Sequence, residues 1–281
     1  MNKIIFFVLA RLYGLYFNIL ALFSKKLAAE QAFTVYCSPR KGRVIDLQAD
    51  FLNEAKDQLI SIGGIKIQVY RWKGSKETVL LMHGWESNSF RWKNLIDYLQ
   101  KEDYNVIAFD APAHGNSSNK SWNVPIYADC AHRIVTLYEP QFLIGHSLGG
   151  MAALFMQYSY PNTSISKIIT IGAPSEFTQL MGYYKNLLGL SKRVMNGLND
   201  YFKFHFGLEI KEFSTAILAK EIKIEGLLFH DRIDPITPYI SSEKVHQNWK
   251  NSTLISTAGF GHSMHQEEVN LKILDFLNSS K

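Results

Sequence analysis

The sequence predicts an α/β fold: a mostly parallel central sheet of about eight strands flanked by helices, with a helical cap insertion and an apolar N-terminal helix. Three observations predict it. Short runs rich in Ile, Val and Leu alternate with amphipathic helical patterns, the arrangement of a parallel sheet built by right-handed crossovers. Polar and glycine-rich clusters fall directly after those runs, at the carboxyl ends of strands where such sheets place their active sites. At 281 residues, 47% of them hydrophobic, the chain is long enough to bury one large core.

The run IIFFVLARLYGLYFNILALF, residues 4–23, has about the twenty apolar residues of a bilayer span. Arg11, Gly14 and Asn18 interrupt it. A charge mid-span costs about 2.5–3.5 kcal/mol on insertion scales, and the arginine also spoils the apolar run of a secretory signal. Three readings stay open: a helix packed on its own domain, an interfacial helix anchored by Lys25 and Lys26, and a single span. Residues 1–43 hold seven Lys or Arg against the one acid Glu30, and the remainder holds 23 against 24, so the net charge of +5 belongs to this segment. A near-neutral remainder disfavours a nucleic-acid partner. Where a membrane is involved, Arg40, Lys41 and Arg43 would keep this flank on the cytoplasmic side. Cys37 and Cys130 are too few for a secreted disulfide framework, so the expected location is cytoplasmic, with membrane association through this segment left open. The expected division is an N-terminal segment over residues 1–43 and a catalytic domain over 44–281.

Within that domain, two runs around Gly63 and Gly64 predict a tight hairpin whose turn needs positive φ. Further strands are expected at 78–82, 105–109, 142–144, 167–171, 224–229 and 253–256, with helices around 90–99 and 127–137 and a closing helix from about His265. The fifty or so residues between Gly172 and Ile224 exceed an ordinary sheet connection and predict a helical cap at about 174–222. It is rich in aromatic residues, Phe177, Tyr183, Tyr184, Tyr201, Phe202, Phe204, Phe206 and Phe213, more than half of which should form the cap's own core and its contact with the domain. The rest, with Trp85 and Phe260, could line an apolar pocket.

Gly145-His146-Ser147-Leu148-Gly149 matches G-x-S-x-G between a strand and a helix. The turn is so sharp that side chains two positions either side of the serine would collide, which calls for Gly145 and Gly149. Ser147 is then raised at the top of the sheet as a nucleophile, and the Leu148 amide is free to stabilise an oxyanion. A second donor would be the Trp85 amide after His83-Gly84, with His83 itself ordering the loop. A serine hydroxyl needs a base, and the base needs a supporting acid. His262 follows Gly259 and Gly261 on a flexible loop, a stronger placement than that of His265, expected already within the last helix. Asp231 and Asp234 follow a buried strand in a turn stiffened by prolines.

With Ser147, then an acid, then His262 in that chain order, residues 58–281 resemble the α/β-hydrolase superfamily. Asp110-Ala-Pro-Ala-His-Gly-Asn-Ser117 resembles the family's D-x-P-G-x-G-x-S loop, with Ala113 in place of the first glycine. The resemblance implies Asp234 as the acid, with Asp231 as the alternative. It also implies a serine hydrolase of the carboxylesterase or lysophospholipase kind (EC 3.1.1), acting on an apolar small-molecule ester or other acyl substrate through an acyl-enzyme on Ser147. The serine disfavours the dehalogenase and epoxide hydrolase chemistries, which use aspartate there. Acyl transfer by the same residues and a non-catalytic binding role stay open. No metal or other cofactor is expected.

Overall fold

The computed structural model describes residues 3–279. Their helices are α1 (Lys3–Phe23), α2 (Lys25–Tyr36), α3 (Asp46–Leu52), α4 (Lys93–Lys101), α5 (Val124–Tyr138), α6 (Leu148–Ser159), α7 (Phe177–Leu188), α8 (Lys192–Phe206), α9 (Thr215–Leu218), α10 (Ile240–Asn248) and α11 (Glu267–Asn278). The chain divides into two compact units, one made of residues 1–38 and 176–214, the other of 39–175 and 215–281.

The larger unit holds the sheet. β1 (Lys56–Ile62) and β2 (Ile65–Trp72) form an antiparallel hairpin, and both glycines of its two-residue turn have positive φ, 55° and 81°. β2 pairs antiparallel with β4 (Asn105–Phe109). From there all neighbours are parallel: β3 (Thr78–Met82), β5 (Phe142–His146), β6 (Lys167–Ile171), β7 (Glu225–Asp231) and β8 (Ser252–Thr257). The resulting order is β1-β2-β4-β3-β5-β6-β7-β8. One face, with Val79, Leu81, Val106, Ile144 and Phe229, packs on α3, α4 and α11 through Leu52, Ile96 and Ile273. The alternate residues Leu80, Ile107 and Phe109 are equally buried, and Phe109 meets the Tyr127 ring of α5 at 5.4 Å. Burial on both faces is why these strands read as continuous apolar runs in the sequence.

Local signals set the helix ends. Asn123 accepts from the Ile126 amide at 2.9 Å and opens α5, and Glu139, at φ 47°, closes it. The helix expected around 90–99 starts as a 3-10 turn, Ser89–Trp92, before α4 continues it. The closing helix begins at Glu267, so His265 lies in the segment before it and not inside it as expected.

The smaller unit is built from α1, α2, α7 and α8, so the N-terminal helices share a core with the helices of the insertion. Phe33 of α2 meets the rings of Tyr201, Phe202 and Phe206, and Phe177 stacks on Phe202 at 4.8 Å. Tyr184 donates to the carbonyl of Ala32 at 2.8 Å. The insertion's aromatic residues thus mostly fill the interior of this unit, with Tyr183 and Phe204 exposed. The helix over residues 4–23 packs closely within this unit along one face: a Cβ on Gly14 would stand 1.7 Å from the carbonyl oxygen of Leu188.

Candidate active site

The carboxyl ends of β3, β5, β6 and β7 converge on Ser147. Its backbone has φ 53° and ψ −124°, a conformation that costs a non-glycine residue about 1–3 kcal/mol and that surrounding structure must enforce. The Ser147 amide donates to the Ile171 carbonyl of β6 at 2.8 Å, and α6 starts at the next residue. The flanking glycines are required for two different reasons. A Cβ on Gly145 would lie 2.6 Å from the Gly150 backbone, the self-crowding expected of the turn. A Cβ on Gly149 would lie 2.3 Å from the Met82 carbonyl, so there the crowding comes from the neighbouring strand β3.

Ser147, His262 and Asp234 are brought together. His262 Nε2 is 3.0 Å from Ser147 Oγ, and His262 Nδ1 is 2.7 Å from Asp234 Oδ2. The Asp234 side chain is fully buried, and Oδ1 accepts from the amides of Ile236 at 2.7 Å and Thr237 at 3.0 Å. Burial alone would raise its pKa; hydrogen bonds from His262, Ile236 and Thr237 outweigh it and hold the carboxyl at about 2. Asp231 does not meet His262. It accepts from the Ile233 and Phe260 amides and the Thr257 hydroxyl, bracing the turn and the loop that carries His262.

The amides of Trp85 and Leu148 donate to no protein acceptor among the described residues, although the segment carrying Trp85 lies close to the serine: a Cβ on Gly84 would be 3.0 Å from Ser147 Cβ. Two histidines hold that segment. His83 donates from Nδ1 to the Gly84 carbonyl at 2.7 Å and accepts at Nε2 from the Ala111 amide at 2.9 Å. His114 donates from Nδ1 to the Pro112 carbonyl at 2.9 Å and accepts at Nε2 from the Glu86 amide at 3.1 Å. Burial lowers the pKa of each to about 4, which keeps both neutral and able to accept. Asp110, also fully buried, ties the loop down by accepting from Ser89, Asn116 and Tyr70. A Cβ on Gly115 would fall 2.0 Å from its Oδ2, and Ala113 accommodates the glycine position of the pattern by taking φ 66°.

Three further residues stand beside this group: the sequence suggested no role for Thr237 or Gly172 and only a structural or solvated one for His230. Thr237 places its hydroxyl 2.9 Å from both Asp234 Oδ2 and the Gly172 carbonyl, and 3.2 Å from His262 Nδ1. His230 donates from Nε2 to the Thr237 carbonyl at 3.0 Å and accepts at Nδ1 from Ser242 at 2.6 Å, with Nε2 3.6 Å from Asp234 Oδ2. Gly172, at φ 57°, leaves room for the His262 ring: its Cβ would be 3.2 Å from Nδ1. A glycine directly after a buried strand was the available signal for Gly172. Nothing in the local pattern distinguished Thr237 from an ordinary turn residue.

Comparison with known proteins bears on the family and the fold. The family described as the α/β-hydrolase fold matches residues 77–193, and the one described as TAP-like protein matches residues 213–281. The chain belongs to the α/β-hydrolase superfamily. This α/β hydrolase is 26% identical to a bifunctional esterase/perhydrolase of Acinetobacter calcoaceticus over 77% of its own length and 97% of that protein. It shares its fold with an esterase of Exiguobacterium antarcticum (TM-score 0.63, 18% identity, 79% of this chain and 98% of that one). It also shares it with a meta-cleavage product hydrolase of Pseudomonas fluorescens (TM-score 0.61, 18% identity, 79% and 97%). An esterase and a meta-cleavage product hydrolase on one fold leave the substrate to the site.

Proposed function

We propose that this α/β hydrolase cleaves carboxylic esters or closely related acyl bonds through an acyl-enzyme on Ser147. The observation that carries the reading is the continuous hydrogen-bond chain Ser147–His262–Asp234 on a strained serine backbone. His262 takes the hydroxyl proton as Ser147 Oγ attacks the acyl carbon. Asp234, held ionised, orients the imidazole and offsets the charge it gains. The Trp85 and Leu148 amides, which meet no protein acceptor among the described residues, would hold the oxyanion, each contributing a factor of about 100–1000 in rate. Loss of the leaving group to the His262 proton gives the acyl-enzyme, and water activated by the same base releases the acid. The esterase relative supports an ester as substrate. Both thiols, Cys37 and Cys130, are buried and free, and two cysteines are too few for a secreted disulfide framework, so the location we favour is cytoplasmic.

A chain-length series of p-nitrophenyl esters tests the reading. Wild type should hydrolyse them, and Ser147→Ala should lose at least about a thousandfold in kcat while remaining folded. Labelling of wild type but not Ser147→Ala by a fluorophosphonate would place the nucleophile. An unlabelled, inactive wild type would point to a binding role, and new esters formed when alcohols are added to compete with water would point to acyl transfer.

A further inference from the structure

The polar residues that interrupt the apolar run of α1, exposed Arg11 and half-buried Asn18, lie along one flank of the helix. Asn18 spends both ends of its amide on the adjoining helix connection, donating to the Gly189 carbonyl at 2.9 Å and accepting from the Ser191 amide at 2.7 Å. Arg11 lays its guanidinium at the C-terminus of α7, with Nη1 2.4 Å from where a Cβ on Gly189 would be, a favourable end of a helix for a cation. Gly14 gives its face to the Leu188 carbonyl, and Ala10, Phe17 and Ala21 are buried beside it.

Opposite them, Ile5, Val8, Leu12, Leu15, Ile19 and Leu22 recur at alternating spacings of three and four, one stripe along the helix, each between 49% and 69% exposed. A run of large apolar side chains this long exposed to water marks an interaction surface. Its charge surroundings indicate the kind. The unit containing α1 carries nine Lys or Arg against five Asp or Glu, whereas the other carries 21 against 20. Almost all of the net positive charge therefore accompanies the apolar stripe, and Lys26, next to the end of α1, keeps 87% of its side chain exposed while standing 4.0 Å from Glu30.

We infer that α1 docks this protein onto an anionic lipid surface, lying in the plane of the interface with the stripe among the acyl chains and the lysines at the headgroups. Crossing the bilayer is disfavoured by the same contacts. α1 is packed along α2, α7 and α8, and Arg193 of α8 donates to the Ala21 carbonyl at 2.6 Å, so a span would carry charged helices into hydrocarbon. The inference does not depend on the ester chemistry.

Flotation of the full chain with vesicles of phosphatidylcholine alone, or mixed with phosphatidylglycerol, tests it. Wild type should float with the mixed vesicles and be released by salt. Leu12→Glu/Leu15→Glu should bind at least about tenfold less with unchanged helix content. Spin labels at Ile5→Cys, Leu12→Cys and Leu22→Cys, selective because the native thiols are buried, should report equal shallow depths. A deep label at 12 between shallow ones at 5 and 22 would show a span and overturn the in-plane arrangement. No vesicle binding, with dimers that the double substitution abolishes, would identify a second copy as the occupant instead.

Discussion

At the scale of single residues, Thr237 is the position where the structure adds most to the proposed chemistry. Its hydroxyl stands beside the Asp234 oxygen that His262 uses, and its carbonyl is fixed by His230. Thr237→Val should lower kcat about ten- to a hundredfold with little change in KM, the scale of a hydrogen bond to a charged group, and Thr237→Ser should restore it. An equal loss in the serine variant would assign the effect to packing. Ser147, Asp234 and His262 were legible because glycines and prolines announce their turns. The preference for Asp234 over Asp231 came from the family resemblance, and the part of Thr237 was not legible, because it depends on Gly172 and His262, far from it in sequence. The low pKa of Asp234, against an ordinary value of 3.8, also has a stability consequence. A depressed carboxyl stabilises the native state fully above its unfolded value and loses that contribution as pH falls through its folded value. The difference in urea midpoint between wild type and Asp234→Asn should therefore be constant above about pH 5 and shrink towards pH 2.

Among the elements, the strands were the readable part, since a strand buried on both faces leaves an unbroken apolar run. The helix α10 was not, because only Ser241, Ser242 and Val245 are buried along it and no apolar stripe results. The character of α1 was undecidable for a related reason. Arg11 and Asn18 flank the stripe, and only the position of α7 reveals that they leave its outer side clean. Strand β7 offers a test of element packing. The Trp249 indole, which donates to the Ile224 carbonyl at 2.9 Å, lies across Gly226, where a Cβ would be 2.4 Å from the ring. Gly226→Ala should destabilise the protein by about 1–3 kcal/mol, seen as a lower denaturant midpoint with an unchanged slope.

Across the whole molecule, the histidines carry a pH signature. His83 and His114 stay neutral in the fold down to about pH 4, while the unfolded chain begins to protonate them near 6.5. Their contribution to stability is complete above the unfolded value and is lost as pH falls through the folded one. Urea midpoints should decline from pH 6.5 to 4 and be flat just above that window as far as these two groups are concerned. A midpoint indifferent to acid over that range would contradict neutral, accepting imidazoles. The smaller unit depends on the chain at large in another way. Its core joins residues 1–38 to 176–214, so neither segment can bury Phe33, Phe177 and Phe202 until the other has been made.

The positive φ at Ser147 means that the fold is working against the serine proposed as its nucleophile. Glycine adopts that geometry without penalty. Ser147→Gly should accordingly be inert and yet outlast Ser147→Ala on heating, melting about 2–4 °C higher for each kilocalorie of relieved strain. The site's activity and the chain's endurance pull on the same pair of dihedral angles in opposite directions.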